Sequence, residues 1–472
     1  MRYLALCCDY DGTLAQDGQV SATTLAALER LRASGRVPVL VTGRELADLE
    51  QVCPRLDLFS HVVAENGALL YRPDSRKLRL LADPPPPRFA AALRERGVPV
   101  SVGRVIVATW RPHEARVLET IRDLGLELQV IFNKDAVMVL PAGVNKATGL
   151  AQALATMGLS AHNAVGVGDA ENDHAFLNLC ECAVAVANAL PTLQERADYV
   201  TAGDHGAGVS ELIAELLEND LRACEPRLVR HHILLGRDEH DLEVRVPPYG
   251  TNLLLVGAAG SAKSDFAAAF VARLAERGYS YLILDAEGTF TAAPGAVRLG
   301  ASDRAPSIDE IVQLVHKPDE SAVVDLAALT PPERAARFQS FVPRLAELRA
   351  RNARPHWLIL NGAHHLLPAQ GSERTGGEAL ASVLQITARP GLMAREALAE
   401  VTAAIAVDSA PAELLREFAV CVGQGPPQTP AGPLVSGEAL IWFRGSESPA
   451  VRVRPAEQDG TPGRATPSTG AS

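Results

Sequence analysis

Long apolar runs are missing from this chain. Nothing in its 472 residues approaches the roughly 18 consecutive apolar positions that a membrane-spanning helix needs. The opening Met1–Cys8 stretch is interrupted by Asp9 before it could act as a signal peptide, so the expectation is a cytoplasmic protein with no membrane partner. Paired cysteine spacing is missing as well. The seven cysteines (Cys7, Cys8, Cys53, Cys180, Cys182, Cys224 and Cys421) are odd in number and scattered, with no C-x-x-C, and read as reduced thiols instead of a disulfide frame or a zinc site. There is no basic excess: 45 Lys and Arg against 56 Asp and Glu leave a net charge of −11. Such a surface repels phosphate backbones and argues against nucleic acid as the main partner. No internal repeat is found.

What is present is the balance of an ordinary globular protein, 47% apolar and 21% charged, with length for about three folding units. Two stretches, about 1–218 and 246–455, alternate short β-branched runs with helical apolar spacing and read as α/β units. Residues 219–245 between them are rich in charge and His and read as a linker. The tail, 456–472, is Gly, Pro, Ser and Thr with little to bury, so it is expected to be disordered. Within the first unit, Asp83 is followed by four prolines, a stiff extended spacer. A strand near Val102–Trp110, a helix from Pro112 to Leu124 and a hairpin over Leu126–Leu140 turning at Asn133-Lys134-Asp135 then read as a small α+β layer. Residues 83–140 are therefore an insertion into a host made of 1–82 and 141–218.

Four strand ends in the host carry chemistry. The strand Arg2–Cys8 runs into Asp9-Tyr10-Asp11-Gly12-Thr13, where carboxylates two apart point the same way and Gly12 lets the backbone turn its N–H groups toward the same space. That arrangement suits a phosphate and a cation together. Val37–Val41 ends in Thr42-Gly43-Arg44, bringing a hydroxyl and a free N–H. Lys146 follows Asn145, a good N-cap, at the start of a helix with Leu150, Leu154 and Met157 as its buried stripe. Ala164–Val167 ends in Gly168-Asp169-Ala170-Glu171-Asn172-Asp173. Open sheets of this kind bind ligands at the carboxyl ends of their strands. Singly, Asp-Gly-Thr usually marks a turn and a Lys after Asn a solvated helix start; four such motifs in register reverse that reading.

In this order and at these separations the motifs resemble the haloacid dehalogenase superfamily, specifically the Cof-like phosphatases whose cap lies between the second and third motifs. Ser21–Gly35 as first helix and Glu65-Asn66-Gly67-Ala68 add to the resemblance, which spans nearly all of residues 1–210. It implies a Rossmann-like parallel sheet with an inserted cap. It also implies that Asp9 is the nucleophile, Asp11 the general acid and base, and that Thr42 and Lys146 grip the transferring oxygens. Mg2+ would be held by Asp9, the backbone carbonyl of Asp11 and Asp169, with Asp173 close by. Gly12, Gly43, Arg44 and Asn172 would line the phosphate site, although Arg44 reads equally as a surface charge and Asn172 as a brace for the acidic loop. The implied substrate is a small phosphate ester or sugar phosphate, with Trp110, Arg111, Asn133 and Lys134 as candidate specificity residues or ordinary hairpin positions. Cys7 and Cys8 read as core.

The second stretch carries a different pattern. The strand Thr251–Val256 precedes Gly257-Ala258-Ala259-Gly260-Ser261-Ala262-Lys263-Ser264 and a helix, the layout of a phosphate loop except that Ala262 stands where a glycine is expected before the lysine. Strands follow at Tyr281–Leu284, ending in Asp285-Ala286-Glu287-Gly288, at Ser321–Leu326, and at Trp357–Leu360, ending in Asn361-Gly362-Ala363-His364-His365. The order resembles the HerA/FtsK-like branch of P-loop ATPases, a RecA-like α/β fold, whose corresponding segment reads Asp-Glu-Ala-His. Here the two acids that hydrolysis requires are Asn361 and Gly362. The resemblance implies a degenerate domain of regulatory or scaffold role, with ATP as the nucleotide and Gly257, Gly260, Lys263 and Ser264 as its contacts. The alternatives are a nucleic-acid-associated ATPase with an accessory phosphatase domain, using Asp285 or Glu287 as replacement acids, and a module that only binds ligands. Ring assembly is common in that family, which leaves a homo-oligomer open. Arg334, Arg337, Arg344, Arg349, Arg351 and Arg354 read as a solvated basic face. His364 and His365 read as packing residues, since the neighbouring sequence offers no acid or Cys to complete a metal set.

Overall fold

The computed structural model describes residues 1–455 apart from 259, 261, 292, 318, 319, 371–379, 409, 433, 436 and 447, so the tail expected to be disordered lies outside the described residues. The chain divides into two units, Met1–Val229 and Arg230–Ser472.

In the first unit the short apolar runs become strands. They are β1 (Ala5–Cys8), β2 (Val37–Val41), β3 (His61–Ala64), β4 (Leu69–Arg72) and β5 (Lys77–Leu80). The insertion then supplies β6 (Ser101–Val102), β7 (Val107–Trp110), β8 (Leu128–Asn133) and β9 (Ala136–Pro141), and the chain returns with β10 (Ala164–Gly168), β11 (Cys182–Ala185) and β12 (Tyr199–Val200). The main sheet runs β12-β11-β10-β1-β2-β3-β4-β5, parallel from β12 through β3 and antiparallel in its last two strands. The parallel strands at its centre, β1, β2, β3, β10 and β11, are buried on both faces, as a covered parallel sheet requires, while the edge strand β5 is largely exposed. Because β1 is flanked by β2 on one side and β10 on the other, the strand order reverses there. Its carboxyl end is the crevice where such sheets hold ligands. The insertion forms its own antiparallel sheet, β6-β7-β9-β8, over a separate core that includes Phe89, Leu93, Val117 and Val137.

Two expectations need correction. The proline run is not followed directly by a strand: Pro87 opens a helix, Pro87–Glu95, that buries Phe89, Ala90 and Leu93. Proline fits there because the first helical N–H has no intrahelical acceptor to lose. Residues 219–245 are not simply a linker either. They contain a hairpin of β13 (Ile233–Arg237) and β14 (Glu243–Val246), and Ile233, Leu235 and Val246 join a core of the second unit. Their alternation is short and hidden among charges.

The second unit continues with β15 (Asn252–Val256), β16 (Tyr281–Asp285), β17 (Ala296–Leu299), β18 (Ser321–Asp325), β19 (Trp357–Asn361), β20 (Val383–Thr387), β21 (Ala403–Ala406), β22 (Ala439–Phe443) and β23 (Val451–Val453). They form one sheet, β17-β18-β16-β19-β20-β15-β21-β22-β23, parallel through β21. The arginines around the helix Pro331–Asn352 are not mainly a solvated face. Arg334 donates to the Leu326 and Ala327 carbonyls, Arg337 to Pro306 O, Arg349 to the Pro355 and Ala381 carbonyls, and Arg354, 1% exposed, to Lys317 O. Arginine's fork of donors ties off the carbonyls of neighbouring loops. Among the described residues no helix is long and apolar enough to cross a membrane, and the cysteines are all free thiols.

Candidate active site at the carboxyl edge of the first sheet

Three strand ends and one helix start deliver the expected side chains to one place. Asp9 follows β1, Thr42 follows β2 and Asp169 follows β10. Carboxylate oxygens of Asp9, Asp169 and Asp173 lie within 4.8 Å of one another, all three residues buried. Lys146 sits beneath them with no exposed surface, its Nζ 2.5 Å from Asp9 Oδ1 and 2.6 Å from Asp173 Oδ1. Its position follows from local chemistry: the Asn145 side chain accepts from the Ala147 and Thr148 N–H groups and caps the helix Lys146–Met157. Asp173 braces the acidic loop, since its other oxygen accepts from the Asp169 and Ala170 N–H groups, each at 2.9 Å. Asp169 accepts from Thr13 Oγ1 at 2.9 Å.

These carboxylates are held close against their own repulsion. Burial and then the Asp173 carboxylate push Asp9 well above the usual carboxylate range, against the pull of Lys146. Burial and Asp173 likewise raise Asp169, which Lys134 and Thr13 oppose. For Lys146 burial works against the ammonium, but Asp173 and Asp9 outweigh it and raise its pKa. Gly12, at φ +84°, is required by proximity, because a Cβ there would stand 2.3 Å from Asp169 Oδ2.

Asp11 is not part of the carboxylate cluster. Its carboxylate makes a two-pronged pair with Arg44, Nε to Oδ2 at 2.7 Å and Nη2 to Oδ1 at 2.8 Å, while Arg44 also holds Asp48. Arg44 is therefore not a free surface charge: it is paired with two carboxylates at the wall of the cavity. Asn172 donates to the Asn66 side chain at 3.0 Å, bracing the acidic loop against the loop after β3. Thr42 is buried, and its hydroxyl accepts from the Arg44 N–H. Cys7 and Cys8 are fully buried core residues, with burial among the causes that raise both thiols.

The cap closes over this edge. A cavity of about 510 Å3 is lined from the host by Asp9, Asp11, Thr42 and Arg44, and from the cap by Trp110, Asn133 and Met138 among others. Lys134, in the β8–β9 turn, reaches down to Asp169 Oδ2 at 3.0 Å. Arg111 instead lies over the Phe132 ring. Sequence reasoning missed how the cap is tied to the host. Buried Glu65, part of a quoted motif but given no role, accepts from the N–H groups of Arg104, Val105 and Ile106 at 3.0, 2.7 and 2.9 Å. It also missed Met138 as a cavity wall, since a Met in an apolar strand carries no signal of its own.

The edge of the second sheet is built differently. Lys263 opens the helix Lys263–Glu276 and turns its ammonium back onto the carbonyls of Gly257 and Ala258, while Ser264 is exposed and Gly260 adopts φ +79°. Ala262 packs against the core. Ala259 and Ser261 lie outside the described residues. Asp285 is consumed internally, accepting from Glu287, Gly288 and Phe290 N–H groups and from the Asn361 amide at 2.7 Å. It is not available as a replacement acid. The expectation that His364 and His365 lack a nearby acid is wrong, because β16 brings Glu287 beside them.

Comparison with known proteins bears on the first unit. A family described as haloacid dehalogenase-like hydrolase matches residues 6–85 and 104–213. The chain is similar to the phosphoglycolate phosphatase of Methanothermobacter thermautotrophicus, 31% identical over 222 residues that cover 45% of this chain and 98% of that protein. The phosphoglycolate phosphatase of Haloarcula marismortui is 33% identical over 220 residues, covering 44% and 94%. Among solved structures, a haloacid dehalogenase-like hydrolase from Bacteroides thetaiotaomicron aligns at 18% identity and TM-score 0.41, over 45% of this chain and 99% of that one.

Proposed function

The chain belongs to the haloacid dehalogenase-like hydrolases, a phosphoric monoester hydrolase by its relatives, and from that premise we propose a magnesium-dependent phosphatase acting through an aspartyl-phosphate. One observation carries the reading: the buried Lys146 joins Asp9 to Asp173 at the point where the strand order reverses, with Asp169 alongside. The residues suit a hard cation, since the converging donors are all carboxylate oxygens and Gly12 leaves no Cβ in the space beside Asp169. Asp9, Asp169 and the Asp11 carbonyl would hold Mg2+, with Asp173 behind them. When bound, the ion supplies charge neutralisation for a phosphate set among acids.

The chain's own groups do the rest. Asp9 Oδ attacks phosphorus and the bond to the ester oxygen breaks, while Asp11 hands a proton to the departing alkoxide. Asp11 then takes a proton from water, whose oxygen attacks the same phosphorus, and the Asp9–phosphorus bond breaks to release phosphate. Lys146 draws Asp9 toward its ionised form and aims it, and Thr42 donates to a phosphoryl oxygen. To deliver its proton Asp11 must part from Arg44, which sets where it waits between turnovers. The substrate is a small phosphate ester such as those named for the relatives or a sugar phosphate; the cap-lined cavity of about 510 Å3 has room for one. The test is phosphate release from a panel of such esters, with and without Mg2+. Asp9→Asn should drop release to background while the chain stays folded, and unchanged release would refute the assignment.

For the second unit the reading is a P-loop-derived, HerA-like fold that no longer hydrolyses ATP and serves as a regulatory or scaffold element. It is supported by the parallel sheet with β15 beside β20 and β21, by Asn361 and Gly362 in place of acids, and by Lys263 folded onto its own loop. ATP turnover above that of Lys263→Ala would overturn it.

A further inference from the structure

The carboxyl edge of the second sheet carries three side chains that the phosphatase chemistry does not use. Glu287, just past the end of β16, lies beside His364 and His365, just past the end of β19, and one ligand atom from each of the three is within 4.8 Å of the others. Glu287 is exposed and the two imidazoles are partly exposed, so ions can reach them. We propose that Glu287, His364 and His365 form a binding site for a divalent transition metal of the zinc class, with at least one coordination position left open. Two imidazoles and one carboxylate are a donor set that zinc accepts readily, and three protein ligands with an open position mark its reactive sites instead of its purely structural ones. A small side-chain adjustment brings the present spacing to the roughly 3.4 Å edge of a tetrahedron with bonds of about 2.1 Å.

Three observations besides proximity support the site. Gly362 stands at φ +71°, and a Cβ there would lie 2.8 Å from Glu287 Cγ and 3.2 Å from Oε1, so the glycine makes the space that this carboxylate fills. Thr387 Oγ1 lies 3.0 Å from His364 Nδ1, the outer hydrogen bond that orients a metal-binding imidazole through its other nitrogen. The two imidazole rings lie 4.1 Å apart, centre to centre, tilted by 37°, so both face one region. The charge nearby is cationic, from Arg334 and Arg389 acting on His365 and from Lys263 acting on Glu287; it opposes the ion itself, and the Glu287 carboxylate offsets part of it. The open position therefore favours water or an anion. This inference does not depend on the phosphatase reading, which concerns the other unit.

The experiment uses the full chain, stripped with chelator and dialysed against Zn2+ alone. Asp169→Asn removes the oxygen cluster of the first unit from the count, and in that background one equivalent of zinc should remain bound. Adding Glu287→Gln, or His364→Ala, should weaken that binding on the order of 100-fold or more, and Thr387→Val about 10-fold. Gly362→Ala keeps all three ligands in the chain yet should also lose the metal, because the methyl displaces Glu287. Zinc should raise the melting temperature of the Asp169→Asn chain and leave that of the Asp169→Asn/Glu287→Gln chain unmoved, which separates loss of the site from loss of the fold. Co2+ bound in place of zinc should show the intense visible bands of a four-coordinate nitrogen-containing site. Absence of zinc in the Asp169→Asn chain, or affinity undiminished from that chain when Glu287→Gln or Gly362→Ala is added, overturns the proposal.

Discussion

The two sheets present the same kind of edge and furnish it in opposite ways. At the carboxyl edge of the first, buried carboxylates are crowded around a buried ammonium, and Asp9 and Asp169 are both pushed above their usual range. At the edge of the second, an amide stands where an acid is expected, Asp285 spends its oxygens on local N–H groups, and Glu287 is exposed. An edge that keeps mutually repelling charges out of water is costly and persists where chemistry uses it. An edge whose buried acid is satisfied by local N–H groups, with its other ionisable groups in reach of water, is free to serve another purpose.

The contrast can be broken or sharpened by substitution. The largest effect is expected at the two lysines. Lys146→Met leaves Asp9 and Asp173 buried without their partner, so about 3–5 kcal/mol of stability and all phosphate release should go. Lys263→Met, at the other edge, should barely move the melting temperature; a comparable loss at both positions would remove the distinction drawn here. Asp11→Asn should slow phosphate release on the order of 100- to 10,000-fold with the fold intact, since it removes proton transfer and not the nucleophile. A pH–rate profile that keeps both limbs in this variant would point to a different acid. Asn361→Asp should lower the stability of the second unit by about 2 kcal/mol by setting a carboxylate against Asp285, and should not create ATP turnover. A gain of turnover would show that only one side chain separates the edges.

The smallest expected effect is on pH dependence. Burial, and then Arg72, lower the pKa of His61 on β3. The unfolded chain therefore binds the proton more readily than the folded one. Stability from this residue is full above the ordinary histidine value of about 6.5 and is lost as pH falls from there to the lower folded value. His61→Gln should flatten that part of the melting curve against pH, measured without substrate.

Much of the first unit was legible from residues alone. Short apolar runs that stop at Asp9, Thr42 and Asp169 announce strand ends, and Asn145 announces the helix that carries Lys146. Arg44 was undecidable because its partners, Asp11 and Asp48, are recognised only once the loop after β2 has folded beside the loop after β1. The hairpin at 233–246 was missed because its alternation is brief, and the helix Pro87–Glu95 because four prolines mask its start. The error at His364 and His365 has the same root. The acid that joins them follows a different strand, and pairing β16 with β19 in parallel is what sets Asp285 opposite Asn361 and brings Glu287 near.

By itself the sequence determined which segments become strands and helices and which side chains stand at their ends, because those follow from neighbours within a few residues: apolar period, caps and turn glycines. Only the tertiary structure decided which of those ends meet, which carboxylates are stripped of water, and which arginine is locked to which acid. Those outcomes depend on strand order and on distance through space, and Coulomb and desolvation energies act across that space whatever the separation along the chain.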